Sequence, residues 1–119
     1  GDYVNNPFYV DLTQTDYYKK AIEMFPYKKF LVFSDDREFA KGYFKGSDFQ
    51  VMEGTEEEDF DIMASCESNI IANSSFSWWA AYLNPNPVKK VICPSVRNLW
   101  YTDKVVRTQI PEEWIQLEN

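Results

Sequence analysis

The chain has 119 residues and a formal net charge of −7, with 12 basic against 19 acidic side chains. Its 45% apolar and 18% aromatic content excludes a disordered chain and is enough for one buried core. The acidic balance excludes nucleic acid and an anionic membrane surface as partners, because both select a basic face.

In chain order, Asp16 to Phe25 carries Tyr17, Ala21 and Met24 at i, i+4 and i+7 and predicts a helix. Lys29 to Ser34, "KFLVFS", is short, apolar and β-prone, and a short helix marked by Phe39, Ala40 and Tyr43 follows over Asp36 to Phe44. A second strand is expected over Phe49 to Glu53. Thr55 and Glu58 then form a T-x-x-E capping box opening a helix to Cys66, with Phe60, Met63 and Cys66 on one face. "NIIAN" (69–73) and "KVICP" (90–94) predict two more strands around a Trp-rich helix, Ser75 to Leu83. "PEEWIQL" (111–117) reads equally as a final strand or a one-turn helix. Near-continuous apolar runs predict strands buried on both faces. Their alternation with helices predicts an α/β fold with a parallel sheet in a single domain over residues 1–119.

Two cysteines far apart, Cys66 and Cys93, read as reduced thiols, which favours a cytoplasmic setting over an oxidising one. No apolar run approaches the ~20 residues of a membrane span, and no signal peptide opens the chain, so no membrane partner beyond a peripheral one is expected. The absence of histidine excludes Ser-His and Cys-His nucleophile pairs and His-ligated zinc within the chain. Any acid–base work therefore falls to carboxyl groups.

In open α/β sheets ligands bind beyond the carboxyl ends of the strands, which directs attention to "FSDD" (33–36), "MEGTEEE" (52–58) and "IANSSF" (71–76). In the last, Asn73, Ser74 and Ser75 meet the start of the tryptophan helix. A helix N-terminus offers unpaired N–H groups and about half a positive charge, a setting for an anion. Two readings stand side by side here: the hydroxyls bind a ligand, or Ser74 is only an N-cap and Trp78 and Trp79 only core, one on the sheet and one on a neighbouring helix. In "FSDD" Asp36 is the expected cap of the next helix. Asp35 is then open to a ribose, a base edge or a divalent ion. The run Glu56 to Asp59 reads as a solvated first turn favoured by the helix dipole.

The block "EDFDIMASCESNIIANSSFSWWAAYLN" (58–84), together with "GDYV" (1–4), "DYYKKAIE" (16–23), "FLVFSDD" (30–36), "VKKVICP" (88–94) and "PEEWIQL" (111–117), resembles the α-1,2-fucosyltransferases of glycosyltransferase family 11. The resemblance follows that family's order over nearly the whole chain. It implies a GT-B enzyme whose Rossmann-like C-terminal half binds GDP-fucose as donor substrate and transfers fucose with inversion to a galactose hydroxyl of a glycan, with no metal and no cofactor. Carried over by position, Asn73, Ser74, Ser75 and Phe76 face the donor's diphosphate and fucose. Asp35 and Asp36 lie near the nucleoside, and Gly1 and Asp2 form the turn beside the pyrophosphate.

The family's H-x-R-R lies immediately before Gly-Asp. The chain accordingly reads as an N-terminally truncated donor domain, inactive alone, whose glycan acceptor binds through a missing N-terminal half. No catalytic residue is assigned. With the phosphate-binding arginine of that motif missing, GDP affinity on the order of millimolar is expected, about −4 kcal/mol. In the expected strand order 3-2-1-4-5 the first, central strand is the one lacking. The strands at 29–34 and 69–73 are then expected to pair directly, to use residues 3–10 as a substitute, or to borrow a strand by homodimerising through exposed edges.

Two other classes compete with this reading. A phospho-receiver domain needs an Asp after the middle strand and a Lys after the last, where this chain has Glu53 and no Lys in "VICPS". A non-catalytic saccharide-binding or scaffolding module is the alternative, with the aromatics as a platform and the serines merely a cap.

Overall fold

A computed structural model describes residue 13 and residues 15–72, 74–95 and 110–117. Among the described residues four helices and five strands follow in the order α1 (Tyr17–Glu23), β1 (Phe30–Val32), α2 (Arg37–Tyr43), β2 (Phe49–Val51), α3 (Glu56–Ala64), β3 (Asn69–Ile70), α4 (Ser75–Leu83), β4 (Val91–Pro94) and β5 (Ile115–Leu117). The open choice at "PEEWIQL" is decided in favour of a strand, β5. Every strand pair is parallel: β1 with β2, β3 with β4, and β4 with β5. The fold is α/β, compatible with a Rossmann-like fragment.

Helix starts follow local chemistry. Asp36 caps α2 by accepting the Phe39 amide at 3.2 Å. Thr55 and Glu58 form the full capping box, with the Glu58 amide on Thr55 Oγ1 at 3.1 Å and the Thr55 amide on Glu58 Oε1 at 2.9 Å. The Thr55 amide holds the Glu58 carboxyl below its ordinary pKa. Lys89 closes the other end of α4, its Nζ donating to the carbonyls of Ala81 at 2.6 Å and Asn84 at 2.7 Å.

The core is built on β4, buried along its whole length. Because successive side chains alternate faces, Val91 and Cys93 pack with Ile71, Ala81, Trp78 and Trp114 on the α4 side. Ile92 packs with Tyr17 and Ala21 of α1 on the other. This is the two-sided burial that an apolar run predicts. β1 and β2 differ: Leu31 is exposed, and Phe30 stacks on Phe49 on one face only, centroids 5.3 Å apart. The expectation of two-sided burial therefore fails for this pair, in which the middle residues, Leu31 and Gln50, are both exposed. The tryptophans depart too. Trp78 packs against the core beside Trp114. Trp79 is exposed, touching Trp78 and Tyr82 edge-on rather than burying itself against another helix.

The strands form two sheets, ordered β2-β1 and β3-β4-β5. Among the described residues β1 and β3 do not pair, so direct pairing of these two strands is not what happens. Residues 3–10, the other local candidate for a central strand, lie outside the described residues.

Candidate functional site

The two sheets face each other across a cleft of about 910 Å³, lined by Phe30 to Asp36 on one side and by Asn69, Ile70, Ala72, Ser74, Phe76 and Ser77 on the other. Its volume falls within the roughly 300–1,000 Å³ common for small-molecule sites. The walls along the strands are apolar. Polar groups lie at both ends, and those beyond the ends of β1 and β3, among them Ser34, Asp35, Asp36, Ser74 and Ser77, stand where an α/β sheet takes its ligand.

On the β3 side the chain runs from Ala72 into α4. Ser74 caps that helix, its Oγ accepting the Ser77 amide at 3.3 Å and lying 2.8 Å from Ser77 Oγ. Ser77 Oγ donates in turn toward the carbonyls of Ala72 at 3.3 Å and Ser74 at 3.2 Å. The hydroxyl cluster thus ties the strand end to the helix start, and the capping reading of Ser74 is correct as far as it goes. Ser74 nevertheless remains part of the cleft wall. Phe76 lies edge-on to Phe60 of α3, centroids 5.5 Å apart, and also lines the cleft.

On the β1 side Ser34 Oγ accepts the Asp36 amide at 3.0 Å, which folds "FSDD" into a tight turn. Asp35 and Asp36 are exposed and line the cleft, as does Phe39 one turn into α2. Arg37 and Asp59 join them although no motif singles them out. For Arg37 the available signal was its place directly behind the acid pair. Asp59 overturns the expectation for its segment. Glu56, Glu57 and Glu58 are exposed as a solvated first turn should be, but Asp59 is buried, 7% exposed, facing Arg37.

Glu53 is held below the ordinary carboxyl range by Lys41 above all, through a 2.8 Å contact, and least by Arg37. Burial pushes the Cys66 thiol up, and that of Cys93 up to about 12. Both cysteines are free. Among the described residues no group of three or more Cys, Asp or Glu side chains is arranged to hold a metal ion, and no helix is long and apolar enough to cross a membrane.

The structure therefore brings Asp35, Asp36, Ser74 and Phe76 to one cleft from opposite walls. Gly1, Asp2 and Asn73 lie outside the described residues, and of Ser75 only the backbone, as the first residue of α4, is described.

A family model described as glycosyl transferase family 11 matches residues 1–118. The O-antigen biosynthesis glycosyltransferase WbnK of Escherichia coli is 33% identical over 129 residues, which take in 98% of this chain and 42% of that protein. An alpha-1,2-colitosyltransferase of Escherichia coli is 35% identical over 134 residues, all of this chain and 45% of that protein. The chain thus spans less than half the length of these relatives. No solved structure matches.

Proposed function

The chain belongs to glycosyl transferase family 11, and on that premise we propose that it is the donor-binding domain of an inverting sugar transferase, with the carboxyl end of the cleft, beyond the strand ends, as its nucleotide-sugar site. The observation that carries this reading is the convergence of Asp35 and Asp36 with Ser74 and Phe76 on one cleft, at the strand ends where an α/β sheet takes its ligand. The order β2-β1, cleft, β3-β4-β5 is that of a Rossmann-like sheet whose middle strand runs between β1 and β3, which fits the C-terminal half of a GT-B enzyme. In this reading the amides opening α4 face the diphosphate, and the acids after β1 accept hydrogen bonds from the nucleoside.

The finer assignment is GDP-fucose as donor and a galactose hydroxyl of a glycan as acceptor, with an α-1,2 linkage formed by the whole enzyme and not by this domain alone. One relative is named for transferring a colitosyl group, so the donor sugar is the point to test. Amide NMR titrations of the chain with GDP, GDP-fucose, GDP-mannose and free fucose decide it. The expected result is a set of shifts at Ser74 to Phe76 and at Asp35 and Asp36 with the three nucleotides, strongest with GDP-fucose. Equal shifts with free fucose and with GDP would instead establish the saccharide-binding module. Shifts confined to other surfaces would remove the cleft from consideration.

A further inference from the structure

At the carboxyl end of the cleft the described residues supply a single basic side chain. Lys28 and Lys29 also line the cleft, but they precede β1 at its other end and pair with Glu67 at 3.1 Å and Asp48 at 3.0 Å. Arg37, the first residue of α2, stands beside Asp35 and Asp36 with its side chain 39% exposed. Its Nη2 donates to the Gly54 carbonyl at 2.7 Å and lies 3.9 Å from Asp59 Oδ2. The first is a hydrogen bond to a neutral acceptor, and the second is too long to be one. The guanidinium is therefore held through Nη2, its Nε is buried without a hydrogen-bond partner, and Nη1 is left for a ligand.

The support is built, not incidental. Asp59 Oδ1 is buried and has no hydrogen-bond partner. A Cβ on Gly54 would lie 2.9 Å from that oxygen, so any other residue there would have to displace the carboxyl from its present seat. An unsatisfied buried carboxyl oxygen is unfavourable for folding, and a fold retains such a group where it holds something else in place. The surroundings explain the need. Asp35, Asp36 and Glu56 give the same end an acidic lining, while the opening of α4 offers only partial positive charge.

We propose that Arg37 is the anion-binding side chain of this cleft: its guanidinium, held through Nη2 by the Gly54 carbonyl, takes a phosphoryl oxygen of a nucleoside diphosphate, and Asp59 is its positioning residue. An arginine suits the task because its rigid planar fork can be held through one nitrogen while another is aimed at the ligand, a fixed geometry that a lysine ammonium lacks. The proposal rests on the reading of the cleft as a nucleotide site. It also supplies a cation that the sequence pattern alone did not lead one to expect.

Titration of the 119-residue chain with GDP and with guanosine, followed by amide NMR, tests it with the variants Arg37→Gln, Arg37→Lys and Asp59→Asn. Arg37→Gln is expected to weaken GDP by about tenfold or more, the scale of a hydrogen bond to a charged group, and to leave guanosine unchanged. Arg37→Lys recovers only part of the loss. Asp59→Asn weakens GDP and not guanosine and shifts the Arg37 Nε–H resonance, a selectivity that mere destabilisation does not produce. Unchanged GDP affinity in Arg37→Gln, with the parent still responding at Ser74 to Phe76, overturns the arginine assignment alone. A parent that binds guanosine as tightly as GDP overturns it as well. A parent that shows no response to GDP overturns both this proposal and the nucleotide reading.

Discussion

The hydroxyl of Tyr17 lies 2.5 Å from the carbonyl oxygen of Ile71, so the first described helix is bonded to the chain three residues before the cap of α4. Ile92 O is also within 3.1 Å of that hydroxyl, but it already accepts the Ile71 amide at 2.9 Å. With one hydrogen to give, Tyr17 satisfies Ile71. Burial above all, then the neighbouring Tyr18 and Cys93, raises the Tyr17 pKa well above its ordinary value, so the group is a donor at any working pH. The β3–α4 turn is thereby held from beneath, on the face opposite α4.

Tyr17→Phe leaves that carbonyl without its donor inside the core. The expected loss is about 1–3 kcal/mol of stability, read as a lower urea midpoint with an unchanged slope. Amide shifts in the variant are expected to concentrate at residues 71–77 rather than in α1.

Ser74 separates capping from binding. Ser74→Ala removes the acceptor for the Ser77 amide and is expected to cost about 1 kcal/mol. Ser74→Asp restores a strong cap, yet puts a negative charge where a diphosphate is proposed to sit. Thermal melts should therefore rank Ser74→Asp near the parent and Ser74→Ala below it, while GDP titration should rank Ser74→Asp lowest.

A buried amide network predicts a larger loss. Asn84 Nδ2 donates to the Cys66 carbonyl and to Asn69 Oδ1, each at 2.8 Å, and Asn69 Nδ2 donates to the Met63 carbonyl at 2.8 Å. The set joins the end of α3, the start of β3 and the end of α4. Asn84→Ala leaves one buried and one half-buried acceptor unpaired and is expected to lose about 1–3 kcal/mol, and Asn84→Asp also loses the donor and falls with it. An Asn84→Ala midpoint matching the parent's would show that solvent reaches these groups.

The two thiols should react in order of burial. With its pKa pushed up to about 12 by burial, Cys93 has a negligible thiolate fraction at pH 8, and Cys66 is raised by the same cause. A disulfide reagent at that pH is expected to label Cys66 slowly and Cys93 only at the rate of unfolding. Labelling of Cys93 as fast as Cys66 would contradict its place in the β4 core.

Acid stability isolates the capping box. The Glu58 carboxyl sits below its ordinary value in the folded chain, so its stabilising contribution is present above the unfolded value of 4.5 and is lost as pH falls through the folded one. Glu58→Gln should flatten that part of the pH–stability curve and leave the neutral region near the parent's. A curve identical to the parent's would mean that the Thr55 amide does not discriminate between the two protonation states.

Much of this architecture is legible in local pattern. "SSFSWWAAYL" places α4 at Ser75–Leu83, and T-x-x-E marks the start of α3, because caps and periodicity act within one or two turns of chain. Asp59 is illegible for the same reason. It is the fourth acid of an exposed run, and only the helix's rotation toward Arg37 and Gly54, a tertiary fact, takes it out of water. The half-covered β1–β2 pair is another such case: "KFLVFS" and "KVICP" have similar apolar content, but burial depends on which helices lie across them. The cleft itself follows from strand order, which no local pattern encodes.

Because β1 and β3 share no backbone ladder among the described residues, the halves of the molecule on either side of the cleft are fastened by the α3–α4 seam with its asparagines and by Tyr18 of α1 against Tyr43 and Phe44. A molecule that touches both lips therefore acts as a clasp. Its binding energy appears as resistance to melting, by mass action, and hydrogen exchange in β1 and β2 should slow on its arrival more than exchange in β4, which is already guarded on both flanks.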